Sequence, residues 1–142
     1  MAPQLFPLGP ELSVAGRLDR ADIDALARAG VRTIINNRPD GEDPGQLPAA
    51  EARRLAEAHG IAYHHIPITA ATLSRADVDA FAAAMRDAPG PVVAHCRSGT
   101  RSTLLWALMR MREGGNALSL IAEAAQHGID IASLPAVAAR LR

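Results

Sequence analysis

Residues 91–102, Pro-Val-Val-Ala-His-Cys-Arg-Ser-Gly-Thr-Arg-Ser, lead from a short β-favouring run through a polar loop into the longest helical pattern of the chain. The run of valines after a proline predicts a strand over Pro91–His95, and the apolar spacing that follows predicts a helix from about Gly99 to Glu113. In α/β domains, functional loops lie beyond the carboxyl ends of the strands. The loop over residues 95–102 is therefore the leading candidate for a functional site.

The same alternation of short β-favouring runs with Ala-rich helical stretches extends over the rest of the chain. The other predicted strands are Leu12–Ala15, Thr33–Asn36 and Ala62–Ile66. The other predicted helices are Arg20–Ala29, Pro48–His59, a helix from Ser74 to the residues before Pro89-Gly90, Ala117–His127 and Ser133–Leu141. This alternation predicts one α/β domain over residues 1–142, with a central, largely parallel sheet of four to five strands flanked by helices.

Composition argues against several classes of partner. The 142 residues include 15 Lys or Arg and 15 Asp or Glu, so the formal net charge is zero, and only 3% of the residues are aromatic. A nucleic-acid surface needs clustered cations and stacking aromatics, so we expect no nucleic-acid partner. The longest strongly apolar run, Leu104–Met109, is far shorter than the roughly 20 residues that span a bilayer, and residues 1–10 lack the pattern of a signal peptide. We therefore expect a cytoplasmic protein with no membrane partner.

The only cysteine, Cys96, lies in the loop between the last predicted strand and the longest predicted helix. A thiol at this position meets unpaired backbone N–H groups and the positive end of the helix dipole, which favour the thiolate. Arg101, five positions further on, can hold an oxyanion through two parallel hydrogen bonds. We therefore predict Cys96 and Arg101 as catalytic residues; the alternative is a buried cysteine that acts only as a small hydrophobic residue.

Further site residues come from this loop and from the polar loop over residues 36–45. The predicted substrate-binding residues are Arg97, Ser98, Gly99, Thr100, Ser102 and Arg38. The predicted supporting residues are His95 and Asp40. For Arg38 and Asp40 the alternative is an ion pair with turn chemistry. His64 and His65 are adjacent on a predicted strand and point to opposite faces, so we expect no metal site. We also expect no cofactor.

These residues resemble a known family. Residues 95–102, Ile34–Glu42 and Tyr63–Ile68 are similar to the phosphatase-like domain of the bacterial beta-lactamase-hydrolase-like proteins, and the likeness extends from about Leu12 to Arg112. The resemblance implies a dual-specificity-phosphatase-like, and thus cysteine-phosphatase-like, fold. The family also occurs fused to sulfide-oxidising and persulfide-handling enzymes, which suggests a separate enzyme of that kind as a partner.

Two departures from the phosphatase pattern favour sulfur chemistry. Tyrosine phosphatases place the arginine six positions after the cysteine, whereas Arg101 is five after Cys96, a spacing that resembles the active loop of rhodanese sulfurtransferases. Phosphatases of this fold also use an aspartate general acid roughly thirty positions before the cysteine. The chain has no carboxylate between Tyr63 and Ala76, although His95 before the nucleophile is typical of phosphatases.

The sequence therefore predicts a sulfurtransferase. Cys96 would accept sulfur from a small anionic donor such as thiosulfate, form a persulfide, and pass the sulfur to a thiol or to cyanide. The alternative is a cysteine-dependent phosphatase of the protein tyrosine or dual-specificity type, which acts on a phosphoester through a phosphocysteine. A third possibility is an anion-binding module without turnover, which the intact pair of Cys96 and Arg101 argues against.

Overall fold

Five strands form one sheet in the computed structural model, which describes residues 2–142. The strands are β1 (Phe6–Pro7), β2 (Leu12–Ala15), β3 (Thr33–Asn36), β4 (Ala62–His65) and β5 (Val92–His95). Their order in the sheet is β1-β2-β5-β3-β4, and every pair is parallel except β1 with β2. The predicted α/β class with a largely parallel sheet is confirmed.

Six helices surround the sheet within residues 2–142. They are α1 (Arg20–Arg28), α2 (Ala49–Ala58), α3 (Arg75–Asp87), α4 (Thr100–Arg112), α5 (Ala117–Ala125) and α6 (Leu134–Arg140). Each lies within its predicted range, with ends that differ by one or two residues because caps stand outside the helix. The backbone N–H of Ser74, for example, donates to the carboxylate of Asp77 at 2.9 Å, as expected from their spacing at the start of α3.

The central strand β5 shows how the two faces of the sheet are filled. Val92 and Ala94 pack into a core cluster with residues of α3, α4, α5 and α6, whereas Val93 packs into a second cluster with residues of α1 and α2. This alternation follows from the two-residue period of a strand. Both faces of β5 are therefore buried, which explains why its sequence is a continuous apolar run rather than an alternating one.

The register of the parallel strands brings their carboxyl ends to one edge. The last residue of β5, His95, is paired with Ala15 of β2 on one side and with Asn36 of β3 on the other. Asn36 is in turn paired with His65 at the end of β4. The chain segments that follow these four strands therefore meet at the same edge, as the alternating pattern predicts.

The fold corrects two details of the sequence prediction. Strand β1 was not predicted, because its two residues include a proline and carry no alternating pattern; it pairs with β2 at the edge of the sheet, where proline is tolerated. The predicted strands Ala62–Ile66 and Pro91–His95 are each one residue shorter. Among the residues that the structure describes, no helix is long and apolar enough to span a membrane.

Candidate active site

The thiol of Cys96 lies at the bottom of the loop that joins β5 to α4. The residue is fully buried, and its Sγ accepts a hydrogen bond from the backbone N–H of Gly99 at 3.1 Å. Gly99 has φ of +94°, a conformation that residues with a side chain adopt only with strain. The glycine thus lets the loop turn its N–H towards the sulfur, where the bond stabilises negative charge.

The first turn of α4 is tied to the loop after β3. Ser102 is buried, and its hydroxyl donates to Oδ1 of Asn37 at 2.8 Å. Asn37 also donates from its own backbone N–H to the carbonyl of His95 at 2.7 Å. Ser102, predicted to bind substrate, therefore joins two loops in this structure. Ser98 and Thr100 lie on the exposed rim of the thiol loop, with 3.3 Å between their hydroxyl oxygens.

The guanidinium of Arg101 is held by one carboxylate and one carbonyl. Its Nη1 and Nη2 donate to Oε2 and Oε1 of Glu42 at 2.7 and 2.9 Å, and Nη1 also donates to the carbonyl of Ile68 at 2.9 Å. A guanidinium has five N–H donors, so the Nε–H and the second Nη2–H remain as a parallel pair. The hydrogen bonds that Arg101 donates to Glu42, together with the charge of nearby Cys96, raise the pKa of Arg101 above its ordinary value.

Glu42 is ionised at neutral pH. Its hydrogen bonds from Arg101, and then those from Arg38, outweigh burial and lower its pKa to about 2. A carboxylate with this pKa is a poor general acid, because it carries no proton to donate in the physiological range. Glu42 instead orients Arg101 beside the thiol.

Arg38 is buried in a network of carboxylates. It is 4% exposed; its Nε donates to Glu42 at 3.0 Å and its Nη2 donates to Asp43. Asp43 also lies 3.2 Å from Nε of Arg97, which is half-exposed on the thiol loop. Both arginines were predicted to bind substrate. The structure shows their charge shared with carboxylates, and direct contact with substrate stays a prediction.

Asp40 is directed away from this network. Its Oδ1 accepts a hydrogen bond from the backbone N–H of Ala49 at 2.9 Å, so it satisfies a donor at the start of α2. Asp40 was predicted as the supporting carboxylate, whereas Glu42 and Asp43 are the residues of this loop that meet the arginines. The sequence indicates a turn here through its glycines, but it does not show which carboxylate faces the thiol.

His95 is neutral at physiological pH. Burial lowers its pKa to about 4, and the neighbouring charges of Arg38 and His65 act in the same direction. Its Nδ1 is a buried polar atom without a hydrogen-bond partner among residues 2–142. Among these residues, no group of three or more His, Cys, Asp or Glu side chains is placed to hold a metal ion.

Comparison with known proteins identifies the family. The model of the beta-lactamase hydrolase-like protein, phosphatase-like domain, matches residues 4–113. The chain belongs to this family. A beta-lactamase hydrolase-like protein of Agrobacterium fabrum is 38% identical over 125 residues, which are 87% of this chain and 29% of that protein. A second family member, from Xylella fastidiosa, is 34% identical over 111 residues, or 78% of this chain and 26% of that protein. The chain thus spans less than a third of the length of these relatives.

Solved structures similar to this family member share its fold over nearly its whole length. A candidate phosphatase from Neisseria meningitidis is 34% identical, covers 96% of each chain, and has a TM-score of 0.84. A candidate DUF442 phosphatase from Shewanella putrefaciens is 26% identical, covers 97% of this chain and 90% of its own, and has a TM-score of 0.72. The active form of Tk-PTP, at 18% identity and a TM-score of 0.75, shows the fold alone. The fold is that of cysteine-dependent phosphatases.

Proposed function

We propose that this chain is a cysteine-dependent phosphatase that hydrolyses phosphate monoesters. The observation that carries the proposal is the placement of Arg101, which Glu42 and Ile68 hold beside a buried thiol while two of its parallel N–H donors remain. The description of the family and the names of the solved structures given above support phosphatase chemistry, and none of them refers to sulfur transfer. We therefore place the phosphatase ahead of the sulfurtransferase that the sequence favoured.

In the proposed reaction, the thiolate of Cys96 attacks phosphorus and the bond from phosphorus to the ester oxygen breaks. Arg101 and the loop N–H groups stabilise the phosphoryl oxygens, and the leaving group departs with the electron pair. Water then attacks the phosphocysteine, the S–P bond breaks, and inorganic phosphate and the thiolate are released. Since Glu42 is ionised, the departing oxygen takes its proton from water, so phenolates should leave much faster than alkoxides.

The ionised state of Glu42 also keeps sulfur transfer as a second candidate function. The carboxylate that contacts Arg101 has a pKa of about 2, so it offers no proton at neutral pH. A donor such as thiosulfate leaves as the stable anion sulfite and needs no proton, and the attack of the thiolate on its outer sulfur yields a persulfide. A partner enzyme that oxidises sulfide or persulfide belongs to this second candidate.

The two candidates are distinguished by one set of measurements on the unmodified chain. We would compare hydrolysis of an aryl phosphate and an alkyl phosphate with transfer of sulfur from thiosulfate to cyanide, using the Cys96→Ser variant as control. Intact mass after a short incubation identifies the intermediate, about 80 Da for phosphocysteine and about 32 Da for persulfide. We expect aryl phosphate hydrolysis that Cys96→Ser abolishes. A persulfide adduct without aryl phosphate hydrolysis would overturn the proposal in favour of sulfur transfer.

A further inference from the structure

Four guanidinium groups share two carboxylates beside the thiol loop. This arginine cluster consists of Arg17, Arg38, Arg97, Arg101, Glu42 and Asp43. Four positive and two negative charges give the cluster a net charge of +2, and the thiolate of Cys96 would reduce the net charge of the region to +1. A cluster with this net charge attracts anions more strongly than the single oxyanion site of Arg101 would by itself.

The positive charge is not evenly compensated within the arginine cluster. One oxygen of Asp43, Oδ2, faces three guanidinium groups, and buried Arg38 makes the closest contact. Arg97 lies 3.2 Å from the same oxygen with 52% of its side chain exposed, and Arg17 lies 3.8 Å away with 65% exposed. Exposed ion pairs at such distances contribute little to stability. Arg17 is therefore the cluster member that a ligand can recruit at least cost.

Arg17 lines a cavity that reaches the thiol loop. The cavity holds about 320 Å³, and its other lining residues include Ser98 of the thiol loop, Gly16, Gln4 and Phe6. A Cβ on Gly16 would lie 3.1 Å from the carbonyl oxygen of Arg97, so the glycine permits this close approach of the segment after β2 to the loop. The cavity is thus bounded by the thiol loop on one side and by Arg17 on another.

One carboxylate also lines this cavity. Asp22 lies in the first turn of α1, where its Oδ2 accepts a hydrogen bond from the backbone N–H of Asp19 at 2.9 Å. This hydrogen bond disperses part of its charge, and the N-terminal end of the helix offsets more. The other polar residues that line the cavity are Arg17, Ser98 and Gln4, and of these Arg17 carries a positive charge.

We infer that this cavity is a second anion subsite, in which Arg17 holds a further anionic group of the substrate while Cys96 and Arg101 hold the reacting group. The inference rests on the proposed function and narrows its substrate class to phosphate monoesters whose alcohol carries a second phosphate, sulfonate or carboxylate. Without such a group, Arg17 and Arg97 are paired with the carboxylate of Asp43. Ser98 belongs both to the thiol loop and to the lining of the cavity.

The test measures binding of non-hydrolysable anions to the unmodified chain by calorimetry at fixed ionic strength. Alkane bisphosphonates of increasing length are compared with alkyl monophosphonates of matched length. We expect the best-fitting bisphosphonate to bind about tenfold more tightly than its monophosphonate, which corresponds to about 1.4 kcal/mol. Arg17→Gln should reduce this preference to about twofold, because it removes the group that holds the second phosphonate, whereas Asp43→Asn should increase the preference by releasing Arg17.

The matched control is Arg28→Gln, which removes an arginine with 74% side-chain exposure that is paired with Asp24 at the far end of α1. This variant should keep the full preference. Equal affinity for both ligand types, or the same loss in Arg28→Gln as in Arg17→Gln, would overturn the second subsite. If monophosphonates bind and aryl phosphates are hydrolysed, that result leaves the proposed function standing. If the chain neither binds monophosphonates nor hydrolyses aryl phosphates, both the subsite and the proposed function are wrong.

Discussion

Helix α4 carries an arginine–carboxylate pair at each of its ends. In the first turn, Arg101 makes two hydrogen bonds to Glu42, and their side chains are 20% and 22% exposed. In the last turn, Nη1 of Arg112 donates to Oδ1 of Asp79 at 2.6 Å, and their side chains are 41% and 67% exposed. Both pairs join α4 to a segment that lies far away in the sequence.

The two pairs have similar chemistry but different surroundings. The exposed pair of Arg112 is screened by water and is worth about 0–1 kcal/mol. The pair of Arg101 is supported by Arg38 and by the carbonyl of Ile68, and it lies beside a buried thiol. The comparison indicates that the difference between the two pairs lies in their neighbours: the pair of Arg101 lies beside a thiol, whereas the pair of Arg112 lies in solvent. The following predictions test this difference between the two ends.

The largest expected effect is a loss of folding stability at acidic pH. We attribute it to His95, which lies near the Arg101 end of α4. His95 precedes Cys96 and has a pKa of about 4 in the folded chain, below its ordinary value of 6.5. The unfolded chain therefore binds the proton more readily, so the stability that neutral His95 contributes is complete above about pH 6.5 and is lost as the pH falls towards 4. The linked loss is about 3 kcal/mol. Denaturant unfolding against pH measures it, and an equal loss in His95→Asn would contradict the assignment.

The second effect compares the same substitution at both ends. Arg101→Lys keeps the charge, but one ammonium cannot replace the planar pair of N–H donors, so we expect kcat/KM for an aryl phosphate to fall more than tenfold, or by about 1.4 kcal/mol. Arg112→Lys should leave kcat/KM unchanged, because its guanidinium contacts no part of the site. Comparable losses in the two variants would show that Arg101 is only a structural residue.

A smaller effect is expected from Glu42→Gln, which keeps one acceptor and removes the charge that holds Arg101. We expect kcat to fall several-fold while KM changes little, because a misaligned guanidinium loses contacts made in the transition state. The pH profile distinguishes this positioning role from acid catalysis. Since the pKa of Glu42 is about 2, the plot of kcat against pH should keep its shape in the variant, with a lower kcat at every pH. Loss of the alkaline limb would instead identify Glu42 as the general acid.

The smallest effect should follow removal of the exposed pair. Asp79→Asn breaks the contact with Arg112, and we expect the free energy of unfolding to change by less than about 0.5 kcal/mol, with activity unaltered. Thermal unfolding and aryl phosphate hydrolysis of the same preparation measure both quantities. A loss above 1 kcal/mol would show that the two ends of α4 are more alike than their exposure indicates.

Much of this architecture is predictable from local sequence. The period of apolar residues predicts four of the five strands and all six helices to within one or two residues, because burial of one helix face or of a whole central strand leaves a direct record in the sequence. The position of Cys96 between a strand and a glycine-containing helix start likewise predicts the thiol loop. These features depend on neighbours in the chain, so local sequence is enough to predict them.

The groups that meet the thiol loop come from distant parts of the sequence, and only the assembled fold identifies them. Asp40, Glu42 and Asp43 lie in one turn-rich loop and have the same chemistry, so no local pattern separates the carboxylate that caps α2 from the one that holds Arg101. The register that pairs Asn36 with His95 sets the two loops side by side, and the resulting contacts join residues 59 positions apart. Such long-range contacts depend on how the whole sheet is assembled, and for that reason they leave no periodic signal in the sequence.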